Sequence, residues 1–134
     1  MDPHQDRPLV DKLAKKNILI IDDDGIITKT LCDLLNRSGF YADASQDGFD
    51  AIDKTDDLDF DLVISDIKMP EMDGIETVRK IREAARAKNK PDVPVIFITG
   101  YVQSETTEEA RELGEVIFKP FDNKEFLEKI SKYI

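Results

Sequence analysis

The sequence has a single cysteine and no apolar run long enough to cross a membrane. Cys32 alone cannot form an intramolecular disulfide, so nothing in the chain requires an oxidising compartment. A membrane-spanning helix needs about 20 consecutive apolar residues. The chain also opens without the charged, apolar and small-residue regions of a signal peptide. We therefore expect a cytoplasmic protein with no membrane association.

Positive charge is also scarce. The 134 residues include 19 Lys and Arg against 29 Asp and Glu, which gives a formal net charge of −10. A nucleic-acid-binding surface neutralises phosphates with basic side chains, so this composition argues against direct nucleic-acid binding by this chain. The length suits one domain. We place that domain at residues 17–134 and interpret residues 1–16, which carry the only histidine (His4), as a polar lead-in.

Five short apolar runs alternate with five segments of helical periodicity. The runs lack polar alternation, which is typical of strands buried on both faces of a parallel sheet. They cover residues 18–21, 40–42, 62–65, 95–98 and 116–118. This alternation predicts an α/β fold with a doubly wound, five-stranded parallel sheet flanked by five helices.

Polar residues stand at the ends of four predicted strands. They are Asp22, Asp23, Asp66, Thr99 and Lys119. In open α/β sheets, ligands bind outside the carboxyl ends of the strands, so these side chains are expected to meet at one edge. Taken singly, they have simpler interpretations. Residues 22–24 could cap a helix, and Asp66 could form a turn.

Three carboxylates at one sheet edge need a counter-charge. Two like charges about 4 Å apart repel by roughly 4 kcal/mol at an effective dielectric near 20. Lys119 supplies only one positive charge, so either a pKa rises or a cation binds. A site built from oxygen ligands suits Mg²⁺. A carboxylate surrounded by a metal, an ammonium and a hydroxyl is typical of phosphoryl transfer.

Four strings resemble the receiver domain of bacterial two-component response regulators. They are ILIIDDD, LVISDIKMPEMDG, PVIFITG and FKPF, in the family's order and at nearly its spacing. The resemblance implies a flavodoxin-like receiver fold and Mg²⁺ or Mn²⁺ as cofactor. It implies a sensor histidine kinase or histidine phosphotransfer protein as phosphoryl donor, and an output partner that the sequence does not name. It further implies a monomer or phosphorylation-dependent dimer that is not a turnover enzyme.

The resemblance also assigns roles to the metal-binding and phosphoacceptor residues. Asp66 would be the phosphoacceptor and a metal ligand. Asp23 would bind the metal directly, and Asp22 would act mainly through a bound water. The backbone carbonyl of Lys68 would complete the ligands that the protein provides.

A second group of residues would contact the transferred phosphoryl group or support the residues that do. Thr99 would donate its hydroxyl to one phosphoryl oxygen, and Lys119 would pair with another. A cis bond to Pro120 would fix the direction of Lys119. The small Gly100 would leave room for the phosphoryl group.

One position departs from the common family pattern. Val116 stands where many receivers carry an aromatic residue, three positions before the lysine. A minority of receivers instead end the fourth strand in Phe-Xaa-Thr-Gly-Tyr, as in residues 97–101 here. In that reading Thr99 and Tyr101 form the switch. Phosphorylation would then reposition Tyr101 together with the sparsely apolar helix predicted over 103–113.

Three alternatives remain open at the level of sequence. The chain could be a small phosphatase or phosphotransferase with Asp66 as turnover nucleophile. The dehalogenase-like version would carry a second acid where Lys68 stands. It could also be a degenerate receiver that acts without phosphorylation. Finally, it could be a receiver fragment of a larger transcription regulator or hybrid kinase.

Overall fold

A computed structural model describes residues 15–100 and 105–134. Within these ranges five strands and five helices alternate. The strands are β1 (Asn17–Ile21), β2 (Tyr41–Ser45), β3 (Leu62–Asp66), β4 (Val95–Thr99) and β5 (Glu115–Phe118). The helices are α1 (Gly25–Arg37), α2 (Gly48–Asp57), α3 (Gly74–Ala87), α4 (Glu105–Leu113) and α5 (Asn123–Ser131). None of these helices is long and apolar enough to span a membrane.

The strands form one parallel sheet in the order β2-β1-β3-β4-β5. This is the flavodoxin-like doubly wound arrangement, so the predicted fold class is confirmed. The strand expected at residues 40–42 is instead the longer β2, which pairs with β1 along its whole length. The apolar pattern missed its second half because β2 is an edge strand, where Asp43 and Ser45 interrupt the apolar run.

Two hydrophobic layers cover the two faces of the sheet. Alternate residues of β1 divide between them because successive side chains of a strand point to opposite faces. Ile18 and Ile20 belong to the layer formed with α1 and α5. Leu19 and Ile21 belong to the layer formed with α2, α3 and α4. All four side chains are at most 1% exposed, which explains why β1 reads as an uninterrupted apolar run.

Aspartates begin four of the helices. Each accepts a hydrogen bond from a backbone N–H in the first turn. They are Asp24 of α1, Asp47 of α2, Asp73 of α3 and Asp122 of α5. Such a cap stabilises a helix by about 1 kcal/mol. Part of the large negative charge is therefore structural, and it fixes the loops that follow β1, β2 and β3.

Candidate functional site

The carboxyl edge of the sheet collects the five polar residues expected there. Asp22 and Asp23 follow β1, and Lys119 follows β5, whereas Asp66 and Thr99 are the last residues of β3 and β4. Backbone hydrogen bonds hold these ends together. The N–H of Lys119 donates to the carbonyl of Thr99 at 2.8 Å, and the N–H of Asp22 donates to that of Ser45 at 3.1 Å.

Three carboxylates form a cluster at this edge. One oxygen from each of Asp22, Asp23 and Asp66 can be chosen so that all three lie within 4.8 Å of one another. Asp22 is buried, with 3% of its surface exposed, Asp66 is half-buried and Asp23 is exposed. The backbone N–H of Asp24 donates to Asp22 Oδ1 at 2.9 Å, which fixes the buried carboxylate. The exposed member leaves the cluster open to solvent on one side.

Lys119 is the cation that reaches this cluster. Its Nζ lies 3.7 Å from Asp22 Oδ2 and 3.9 Å from Asp66 Oδ2. The peptide bond between Lys119 and Pro120 is cis. This ammonium group offsets part of the negative charge of the three carboxylates.

Burial and mutual repulsion change the acidity of two of these groups. The pKa of Asp66 rises to about 6, mainly because its carboxylate is desolvated and secondly because Asp22 is close. Lys119 and a hydrogen bond from the backbone of Ile67 oppose this rise. Burial also raises the pKa of Asp22, against the hydrogen bond from Asp24 and the charge of Lys119. The cluster is thus short of positive charge, and its all-oxygen donor set fits a hard divalent cation such as Mg²⁺ or Mn²⁺.

In the connection between β3 and α3, the backbone at Gly74 packs closely against the backbone of Asp66. A Cβ on Gly74 would lie 2.0 Å from the carbonyl oxygen of Asp66 and 2.9 Å from Ser65 Oγ. The N–H of Gly74 donates to the carbonyl of Ile67 at 2.8 Å, and Ser65 Oγ donates to that of Asp66 at 2.8 Å. Neither Gly74 nor Ser65 is among the site residues that the sequence predicts. An Asp-Gly pair directly before a helix was the available signal for Gly74, whereas Ser65 gave none.

The remaining predicted site residues have different surroundings. Thr99 is buried, with 1% of its surface exposed, and Lys68 is exposed on the β3–α3 loop. No described heavy atom outside the chain neighbours of Gly100 lies within 4 Å of the point where its Cβ would be. Val116 is half-buried against the α2–α4 side of the core. Tyr101 and the first two residues of the helix predicted over 103–113 lie outside the described residues.

Comparisons with known proteins agree on one family. The sequence model of one protein family, the response regulator receiver domain, matches residues 18–131. The chain is 31% identical over 121 residues to the response regulator receiver protein CpdR of Brucella abortus, which covers 89% of this chain and 97% of that protein. It is 36% identical over 108 residues to the transcriptional regulatory protein ZraR of Klebsiella oxytoca, covering 79% of this chain.

The chain spans only 23% of the length of ZraR, so it corresponds to one part of that longer regulator. Among solved structures, the chemotaxis protein CheY4 of Vibrio cholerae matches with a TM-score of 0.80 and 26% identity. That match covers 90% of this chain and 99% of CheY4.

Proposed function

The chain belongs to the family of response regulator receiver domains, which act in two-component signalling, and we propose that Asp66 is its phosphoacceptor. The observation that carries the proposal is the cluster of three carboxylates at the carboxyl edge of the sheet, with the ammonium group of Lys119 beside it. We further propose that the receiver unit covers residues 17–134, with residues 1–16 as a lead-in.

In the proposed reaction an oxygen of Asp66 attacks the phosphorus of a phosphohistidine on a sensor histidine kinase or histidine phosphotransfer protein. The bond between phosphorus and the imidazole nitrogen breaks, and its electron pair stays on the imidazole. An acyl phosphate forms on Asp66. Lys119, already within 3.9 Å of Asp66 Oδ2, would offset the added negative charge. Thr99 would donate its hydroxyl to a phosphoryl oxygen.

The metal-binding part of the proposal is supported by the cluster of Asp22, Asp23 and Asp66. Asp23, Asp66 and the backbone carbonyl of Lys68 would hold Mg²⁺ or Mn²⁺, with Asp22 acting through a bound water. The cation supplies neutralisation of charge between the carboxylates and the incoming phosphoryl group. The negative excess of the cluster and its oxygen donors support this assignment.

We propose a switch rather than a turnover enzyme. A dehalogenase-like phosphatase would carry a second acid two residues after the nucleophile, and that position holds the exposed Lys68. Phosphorylation would change the contacts of Thr99 and of the Tyr101 segment that follows β4. The output would then be a change in partner binding.

Incubation with acetyl phosphate, followed by mass spectrometry of the intact protein, tests the assignment of Asp66. We expect one added phosphoryl group in the presence of Mg²⁺ and none after chelation with EDTA. Asp66→Asn abolishes the addition, whereas Asp73→Asn retains it, because asparagine is an equally good helix cap and Asp73 lies outside the cluster. Addition of a phosphoryl group to Asp66→Asn, or addition to the wild type that does not depend on Mg²⁺, would contradict the proposal.

A further inference from the structure

The outer side of β2 is one of the two lateral sides of the described sheet. The strand order places β2 last on this side, with β1 as its neighbour. The N–H of Tyr41 points to β1, since it donates to the carbonyl of Lys16 at 2.9 Å. Successive residues of a strand direct their backbone groups to opposite sides. The N–H and carbonyl groups of Ala42 and Ala44 therefore point outwards, away from β1.

Side chains of the same chain bind these outward backbone groups. The N–H of Ala42 donates to Asn36 Oδ1 at 3.0 Å. The N–H of Ala44 donates to Asp43 Oδ1 at 2.8 Å, and the carbonyl of Ala44 accepts from Lys54 Nζ. Free N–H and carbonyl groups along an edge strand are a template with which a strand of another chain can pair. Asn36, Asp43 and Lys54, which we call the β2 cover, take up three groups of that template.

The β2 cover is assembled from both faces of the sheet. Asn36 lies in the last turn of α1, which packs in the hydrophobic layer on one face. Lys54 lies on α2, which packs in the layer on the opposite face. Asp43 belongs to β2 itself. The cover thus reaches the strand from above and from below, so an approach from either face meets it.

Ion pairs hold Lys54 against the strand. Its Nζ lies 3.3 Å from Asp43 Oδ1 and 3.5 Å from Asp50 Oδ2, in addition to its bond to the Ala44 carbonyl. The side chains of Lys54 and Asp43 are 30% and 34% exposed. An incoming strand would displace the ammonium group and remove Asp43 from both its cation and water. Leaving a charge buried without a partner is costly, so the ion pair opposes pairing at this strand.

The cover also occupies the space that a further strand needs. Paired strands lie about 4.7–4.9 Å apart, and their carbonyl oxygens approach the N–H groups of the neighbour. Asn36 Oδ1 already lies in such a position, 3.0 Å from the nitrogen of Ala42. A second copy of the chain would present the same strand, and a twofold axis would set two β2 strands antiparallel with their outward groups facing. The cover stands between them.

We propose that Asn36, Asp43 and Lys54 prevent β2 from pairing with β2 of a second copy of the chain. Without the cover, the outer side of β2 becomes a dimer interface that extends the sheet across both copies. The proposal does not depend on the phosphoacceptor assignment, because the cover and the carboxylate cluster are built from different residues. Its test therefore uses the unphosphorylated full chain.

Amide hydrogen exchange on Asn36→Ala tests the first step of the proposal. We expect the amide of Ala42 to exchange at least about tenfold faster than in the wild type, because its acceptor is gone. The amide of Tyr41, which is bonded to β1, serves as internal reference and changes little. Asn36→Asp keeps an acceptor oxygen at this position and is expected to keep Ala42 protected. An unchanged Ala42 amide in Asn36→Ala, or equal acceleration of both amides, would overturn the proposal.

Sedimentation velocity as a function of concentration tests the second step. The cover is removed in the triple variant Asn36→Ala, Asp43→Val and Lys54→Met, which loses one charge of each sign and so keeps the net charge of −10. We expect this variant to form dimers at a concentration at least about tenfold lower than the wild type, because the template is then open. Its outward β2 amides exchange fast in dilute solution and regain protection as the dimer forms.

The matched control is Asp56→Val with Lys88→Met, which removes another ion pair of α2 at the same net charge. It is expected to sediment like the wild type. Three results would overturn the proposal: a triple variant that folds and associates no more than the wild type, a dimer whose outward β2 amides gain no protection, or equal association of the control. If the triple variant does not fold, the exchange measurement on Asn36→Ala, a single change at an exposed residue, decides the question.

Discussion

Position, and not residue type, separates the roles of the carboxylates at the phosphoacceptor edge. Asp22, Asp23 and Asp24 are consecutive in the chain, yet the first is buried and the other two are exposed. Asp24 caps α1 and its backbone holds Asp22, so it serves the site only through its neighbour. The helix-cap interpretation is confirmed for Asp24, whereas Asp22 and Asp23 belong to the carboxylate cluster.

Asp66→Asn is expected to stabilise the metal-free protein near pH 7. The folded pKa of Asp66 is about 6, against an ordinary value of 3.8. Between these values the folded state binds more protons than the unfolded state, so the free energy of unfolding falls as the pH rises. One pKa unit corresponds to about 1.4 kcal/mol, so the loss that asparagine avoids is about 2 to 3 kcal/mol. Urea unfolding in EDTA measures it.

The pH dependence separates this effect from a general change in packing. Below about pH 4 both states of Asp66 are protonated, and the stability difference between Asp66→Asn and the wild type shrinks accordingly. Asp57→Asn, at the end of α2, provides a control remote from the cluster. A difference between Asp66→Asn and the wild type that is equally large at pH 4 and pH 7 would contradict the electrostatic explanation.

Between elements, the tightest constraint at the site lies where β3 meets α3. Gly74→Ala places a methyl group 2.0 Å from the carbonyl oxygen of Asp66, so backbone must move. We expect a loss of about 1–3 kcal/mol or more of unfolding free energy, as for other overpacked positions. Gly100→Ala is the matched control, because no described heavy atom beyond its neighbours crowds that position. Thermal melting of both variants compares them. Equal losses would show that backbone flexibility, not crowding, limits substitution.

Helix α4 buries few side chains against the core. It buries only Thr107 and Ala110, whereas α3 buries Ile75, Val78 and Ile81 among others. Regions with few buried apolar contacts open locally at lower free energy. We expect amides 109–113 to exchange with solvent at least about tenfold faster than the interior amides of α3, a difference of about 1.4 kcal/mol. Native-state hydrogen exchange measures both. Equal protection would exclude α4 as a separately mobile element.

The strands differ in how well the sequence predicts them. Strands buried on both faces, such as β1, are predictable from the sequence because nearly every position is apolar. The edge strand β2 was half missed, since its Asp43 points to α2 and pairs with Lys54. The meeting of the polar residues at the carboxyl edge was predictable, because the carboxyl ends of parallel strands lie at the same edge of a sheet. The contact of Gly74 with Asp66 was not, because it depends on how closely two backbones approach.

Across the whole molecule, the chain has a net charge of −10, and the acidic groups at the amino and carboxyl edges of the sheet are neutralised to different degrees. At the amino edge, lysines neutralise part of it through the pairs of Asp56 and Asp59. At the carboxyl edge, Lys119 leaves the excess of three carboxylates largely uncompensated. A divalent cation should therefore stabilise the fold chiefly through the carboxyl edge, beyond the general screening that any salt provides.

This distribution predicts how Mg²⁺ changes the thermal stability of charge variants. A ligand that binds only the folded state at about 100 times its Kd stabilises by about 2.7 kcal/mol. Against NaCl of equal ionic strength, we expect Mg²⁺ to raise the Tm of the wild type and to lose most of that effect in Asp23→Asn. Asp24→Asn removes the same charge one residue away and keeps the helix cap, so it should respond like the wild type. If both variants lost the response equally, Mg²⁺ would be acting on the total charge and not at a site that includes Asp23.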